Sequence, residues 1–179
     1  MKTNEKYKVI LIWTIFVVIT AVFLTLLFIR LNQTRDFKTY EDIERSSYLI
    51  NDITGQGNTG DYYVFVYSSS NGYDSAAKNS DLEPFITRYF TYYHQNKKTL
   101  DNLMPIYLYD VDKFKSSADY STCSEYFLSL YSSMDISKCP ALVIVCEGAV
   151  SSYITNLGGS SGIQNTIATA LREGTDGSK

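Results

Sequence analysis

The chain has 179 residues, 45% of them hydrophobic, with 16 Lys and Arg against 19 Asp and Glu. That length holds one ordinary domain and an anchor. The absence of a basic stripe excludes nucleic acid as a partner class. One histidine and three cysteines (Cys123, Cys139 and Cys146) without zinc-type spacing give no metal-ligand pattern, and no cofactor motif occurs.

The hydrophobic residues are unevenly placed. From Val9 to Ile29 the chain carries no charge over 21 positions. As a helix this run extends about 32 Å, the thickness of a bilayer's hydrocarbon core. Lys8 and Arg30 bracket it and Trp13 lies near one end, as interfacial anchors do. Residues 9–30 therefore read as a transmembrane helix behind a short tail, 1–8. The run is longer than a secretory h-region, and no small-x-small cleavage site follows it. Lys2, Lys6 and Lys8 precede the span and Arg30, Arg35 and Lys38 follow it, so the positive charge is balanced across it. A brief tail ahead of a full domain is the arrangement of a signal anchor, which places the C-terminal domain outside the cytoplasm. Residues 37–179 hold 11 Lys and Arg against 17 Asp and Glu, a net of −6. Anionic head groups repel such a domain, leaving the helix as the membrane contact.

Residues 31–60 read as a juxtamembrane helix and linker. Tyr40, Ile43, Ser47 and Ile50 fall at helical spacing, giving an amphipathic helix over 37–51 that packs on the domain or acts as a stalk. Gly55, Gly57 and Gly60 mark a loop. Tyr62-Tyr-Val-Phe-Val-Tyr67, apolar or aromatic on both faces, predicts a strand buried inside a sheet. Ser68–Asn79 is a Ser, Asn and Gly-rich loop. Ser80-Asp-Leu-Glu83 matches a capping box, opening a helix that carries Phe85, Ile86, Tyr89, Phe90 and Tyr93 on one face to about Lys98. Pro105–Val111 is a second strand. Thr122-Cys-Ser-Glu125 caps a short helix to about Ser133, and Cys139–Cys146 is a third strand led by Pro140. A Glu147-Gly148 turn leads to a fourth strand, 149–156. After Gly158-Gly159, Ser161-Gly-Ile-Gln164 caps a last helix with Ile163, Ile167 and Leu171 on its inner stripe, and a disordered tail occupies 174–179. The β-α-β start gives parallel strands and the late hairpin an antiparallel pair. The expected class is α/β, a mixed four-stranded sheet flanked by helices.

This order resembles the thioredoxin fold over about 115 residues, 61–173. Cys139-Pro140-Ala-Leu-Val-Ile-Val-Cys-Glu-Gly148 resembles that family's proline-led strand and following turn. Tyr62–Tyr67 resembles the strand that runs into its active site, and Pro84 a proline within the next helix. The resemblance implies a cis bond before Pro140, with exposed backbone groups that pair with an extended peptide beside a redox site. Thiol–disulfide exchange needs an activated thiolate and a resolving thiol, which thioredoxins supply as Cys-x-x-Cys at the start of that helix. Here the position aligns with Asn71, Gly72, Tyr73 and Asp74, or with Ala76-Ala-Lys-Asn79. No cysteine occurs between Ser68 and Glu83.

Three functional readings follow. The first is a redox-inactive module that binds a protein or extended peptide near the membrane through Cys139, Pro140 and residues 71–74. The second is a monothiol oxidoreductase using Cys139, set against a structural cysteine, buried or bridged to Cys123. The third is a small structural subunit of a membrane complex. Other residues carry less. Asp110, Asp112 and Asp119 lack a calcium loop's glycine and closing glutamate and read as a solvated acidic loop. His94 reads as a surface residue, Gly158-Gly159 lacks P-loop flanks, and Ser69 and Ser70 lack a base partner. Asn32-Gln-Thr34 is a sequon that abuts the membrane. The 16 tyrosines fill the core and its rim with their hydroxyls wet.

Overall fold

The computed structural model describes residues 2–44, 60–69, 76–100, 103–116 and 139–176. The chain divides into two compact units, Met1–Asp36 and Phe37–Lys179.

The first unit is helix α1, Lys2–Gln33, of which Lys6–Asn32 is long and apolar enough to cross a membrane. The span is longer than residues 9–30 because helix continues through the flanking charged and polar residues. Thr14, Thr20 and Thr25 do not interrupt it: each hydroxyl donates to the carbonyl four residues earlier, at 2.8–2.9 Å, so none of the three is left without an acceptor in an apolar stretch.

The second unit is built on a four-stranded sheet, β1 (Tyr62–Tyr67), β2 (Ile106–Asp110), β3 (Ala141–Cys146) and β4 (Ala149–Ile154), in the spatial order β2-β1-β3-β4. β1 pairs parallel with β2, Phe65 opposite Leu108, and antiparallel with β3, Phe65 opposite Leu142. All six residues of β1 are buried. Tyr63, Phe65 and Tyr67 join one core layer with Leu108 and Leu142; Tyr62, Val64 and Val66 join another with Tyr109 and Val143. The two-residue period of a strand separates the layers.

β4 pairs antiparallel with β3, with a register shift between Ile144 and Val145 that leaves Ser151 unpaired. This bulge is what puts Val150 and Tyr153, three apart in sequence, on the same layer. The β3–β4 turn has positive φ at Glu147 (51°) and Gly148 (78°), the pairing a two-residue hairpin turn demands. The Asp61 carboxylate accepts the Glu147 N–H at 2.9 Å.

Helices α2 (Tyr40–Glu44), α3 (Ala76–Asn96) and α5 (Ile163–Asp176) bring Ile43, Leu82, Ile86, Ile163 and Ile167 onto the first layer, and α4 (Val111–Ser116) follows β2 directly. Several boundaries depart from the sequence reading. α3 begins at Ala76, so Ser80 lies inside it rather than capping it. Ala76, Ala77 and Lys78 are strong helix formers, and they extend the helix N-terminally past the capping pattern. α2 covers five residues, and the remainder of the expected 37–51 helix, like the 122–133 helix, lies outside the described residues.

Of the two readings of the 37–51 segment, packing on the domain holds for residues 37–43, where Phe37, Tyr40 and Ile43 are buried. The Phe37 N–H donates to Thr91 Oγ1 at 3.0 Å, and its ring meets Phe90 edge-on at 4.8 Å and His94 at 5.1 Å. His94 is therefore half-buried against two phenylalanines, not a surface residue. The Tyr40 N–H donates to the Glu83 carboxylate at 2.9 Å.

The first part of the expected tail is helical, and residues 177–179 lie outside the described residues. α5 continues through Gly174 to Asp176, and Gly174 is buried; a Cβ there would lie 2.4 Å from a methyl carbon of Leu103. At its start, Gly162 rather than Ser161 makes the first helical bond, its carbonyl accepting the Thr166 N–H at 3.0 Å. Ile163 and Gln164 donate their N–H groups to the carbonyls of Asn156 and Leu157, which satisfies two of the helix's orphan donors.

A Cβ on Gly162 would stand 2.4 Å from the Gly158 carbonyl oxygen, which is backbone and cannot rotate away. Gly162→Ala is expected to cost about 1–3 kcal/mol, read as a lower urea midpoint with unchanged slope. Burial raises the phenol pKa values of Tyr40, Tyr63 and Tyr89, with the neighbouring Glu83 adding to the rise at Tyr40 and Glu173 at Tyr63. The folded state thus holds these protons more tightly than the unfolded chain, whose tyrosines ionise near pH 10. Their contribution is complete below about pH 10 and falls as pH rises above it. Urea unfolding at pH 9 and pH 11 is expected to show that loss, and Tyr89→Phe to reduce it.

Candidate functional site

Ligands of open α/β sheets gather outside the carboxyl ends of strands, where neighbouring connections leave in opposite directions. Here that place is the C-terminal end of β1. From it the chain passes through α3 to β2 on one side, while β3 lies on the other. The register puts Tyr67 opposite Asp110 and Val66 opposite Ala141, so Ser68 and Ser69 emerge between Asp110 and the Cys139-Pro140 pair.

On the β2 side the centre is Asp110, whose side chain is 3% exposed. Its Oδ1 accepts the N–H groups of Asp112 at 3.0 Å, Ser69 at 3.4 Å and Lys113 at 3.5 Å, so one carboxylate caps α4 and ties it to the end of β1. Lys113 Nζ lies 3.5 Å from Oδ2. The Ser68 hydroxyl donates to Asp112 Oδ2. This corrects the reading of Asp110 and Asp112 as a solvated loop: Asp110 is a buried acceptor on which three backbone N–H groups converge. Asp119 lies outside the described residues. The signal available in the sequence was an aspartate closing an apolar strand just ahead of a helix, a common capping position.

On the β3 side the Cys139–Pro140 peptide bond is cis and Pro140 is buried. Cys139 and Cys146 are thiols. Cys139 is 7% exposed and belongs to the apolar layer of Val66, Tyr109, Val111 and Ala141. Cys139 thus packs in the core rather than lying open at the site. It shares that layer with Ala141 and Val143 of β3. Cys146 is only partly buried because it ends β3 at the hairpin.

Asn71, Gly72, Tyr73 and Asp74 lie outside the described residues. Ala76–Asn79, the other alignment of the dithiol position, forms the first turn of α3. Among the described residues no group of His, Cys, Asp and Glu is arranged to hold a metal ion. The tyrosine hydroxyls are not uniformly wet, since Tyr89 donates to the Met104 carbonyl at 2.8 Å.

Comparison with protein-family models, with characterised proteins and with solved structures gives no match.

The placement of the two thiols makes an ordered expectation. In a Cys123→Ser background, maleimide labelling of the native chain is expected to modify Cys146 first and Cys139 only on unfolding. Mass spectrometry of the labelled peptides reads the order.

Proposed function

We propose that the chain is a membrane-anchored, thioredoxin-like accessory module that has no dithiol and binds an extended segment of another protein outside the cytoplasm. The observation that carries this reading is the end of β1. A fully buried central strand leads to a helix whose first turn is Ala76-Ala-Lys-Asn79 where the resemblance calls for cysteines, with the proline that opens β3 on its other flank. The parallel β1–β2 pair, the antiparallel β3–β4 hairpin and the closing helix α5 agree with the order that the resemblance implies. The long apolar α1 supports the anchor.

The arrangement favours binding over catalysis. Thiol exchange needs a second thiol to resolve the mixed disulfide, and no residue from Ser68 to Glu83 is a cysteine. Cys139 is buried in an apolar layer, where a substrate disulfide has little access to it. What remains at the strand ends is backbone and a few hydroxyl and carboxylate groups. An extended peptide uses those through main-chain hydrogen bonds.

Two measurements on the full chain in detergent test the reading. A photocrosslinking residue replacing the exposed Ser69 is expected to capture extended peptide segments from native membranes, whereas the same residue at Ser151 captures none. Insulin reduction is expected to stay at the background rate. Turnover abolished by Cys139→Ser would establish the monothiol oxidoreductase instead. A single stoichiometric partner crosslinked from both positions would establish the structural subunit. An impermeant maleimide applied to sealed membranes from either side and directed at Cys146 reads the sidedness of the domain, with labelling expected only from the non-cytoplasmic side.

A further inference from the structure

α3 and α5 pack against each other and leave a groove of about 540 Å³ between them. Arg88, Thr91, Tyr92 and Gln95 line it from α3, and Ala168, Leu171, Arg172 and Thr175 from α5. Each set runs i, i+3, i+4, i+7, so a complete helical face from each helix is turned to the groove. Its floor is largely apolar, from Tyr92, Leu171 and Ala168.

The charge of this groove runs against that of its domain. Residues 37–179 sum to −6 and contain three arginines, of which two, Arg88 and Arg172, line this one groove; none of its eight lining residues is acidic. Both arginines are exposed, and neither makes an ion pair with a described residue. An unpaired guanidinium is a bidentate donor to phosphate or carboxylate oxygens. A volume of this size holds a small polar group and the apolar atoms next to it.

Chain connectivity narrows the choice of occupant. Thr91, one of the lining residues, accepts the Phe37 N–H. Phe37 follows Gln33, the last residue of α1, by four residues, which is at most about 14 Å of chain. Where α1 spans a bilayer, such a short tether gives lipid head groups an effective concentration in the millimolar range around this face. An acidic partner helix has no such advantage.

We propose that the α3–α5 groove docks the head group of an anionic phospholipid from the bilayer that holds α1, with Arg88 and Arg172 on the phosphate and Tyr92 and Leu171 against the adjoining carbons. This rests on the membrane-anchored reading. It revises the expectation that an acidic domain stands clear of anionic lipid, because the groove concentrates cationic charge that the net figure averages away. Each arginine near an anionic surface contributes about 5-fold in binding, so the pair supplies about 30-fold.

The test uses the full chain in nanodiscs of phosphatidylcholine alone and of phosphatidylcholine with phosphatidylglycerol. A genetically encoded solvent-sensitive fluorophore replaces the exposed Ala168. The expected result is a blue-shifted emission in the anionic discs only, unchanged by millimolar inorganic phosphate. In Arg88→Gln/Arg172→Gln the ratio of docked to undocked domain should fall about 30-fold, returning emission to its zwitterionic value. Equal emission in both lipids, a shift that survives the double substitution, or a shift reversed by inorganic phosphate would each overturn the proposal. Failure of the chain to enter discs of either composition would remove the anchor reading itself, and is seen before any fluorescence is measured.

Discussion

A six-residue strand with no polar face dictates the rest of this domain. Tyr62–Tyr67 buries every side chain, so it needs a packed layer above and another below, and both of its hydrogen-bonding edges must be covered. Burying a large apolar side chain is worth about 1.5–3 kcal/mol, and β1 does so on each face in turn. β2 reaches one edge in parallel through the crossover helix α3, and β3 closes the other edge in the opposite direction. With both edges filled, the sheet grows only outward, and the β3–β4 hairpin takes the last position.

The same constraint makes the end of β1 the place where neighbouring connections diverge. The strand leaves the core there. Its exit is anchored on one side by Asp110, which gathers backbone donors from Ser69, Asp112 and Lys113, and flanked on the other by the buried Pro140. A dithiol at the start of α3 would make such a place a redox centre. Ala76-Ala-Lys-Asn79 there, and the burial of Cys139 in the apolar layer, leave a platform of strand ends instead. The distribution of arginines is also uneven, with two of the three in residues 37–179 lining the groove between α3 and α5.

The strands were legible because their signals are local. An unbroken apolar run, a proline at a strand start and a Glu-Gly hairpin turn are each read from a few neighbouring residues. The apolar helix was legible for the same reason. What escaped depends on partners far along the chain. Ser80 carries a capping pattern, yet the helix passes through it because the preceding alanines extend it. Gly174 looks like the start of a loose tail, and only Leu103, brought beside it by the fold, explains a glycine inside α5. Whether Phe37 packs on the domain or belongs to a stalk is decided only by Phe90 and His94, which surround its ring. The bulge at Ser151 leaves no mark in composition, and Asp110 reads as one more surface acid until three backbone donors converge on it. The sequence-proposed site residues 71–74 remain outside the described residues, whereas Cys139 and Pro140 do flank the end of β1, with Cys139 buried.

The strand order tests the account most directly. In the full chain in detergent micelles, nuclear Overhauser contacts between methyl-labelled leucines and the ring of Phe65 report which strands flank β1. The account predicts contacts from that one ring to both Leu108 and Leu142, its partners on opposite sides. Contacts to only one of them would place β1 at an edge, and a strand apolar on both faces would then be left without the sheet that its burial requires.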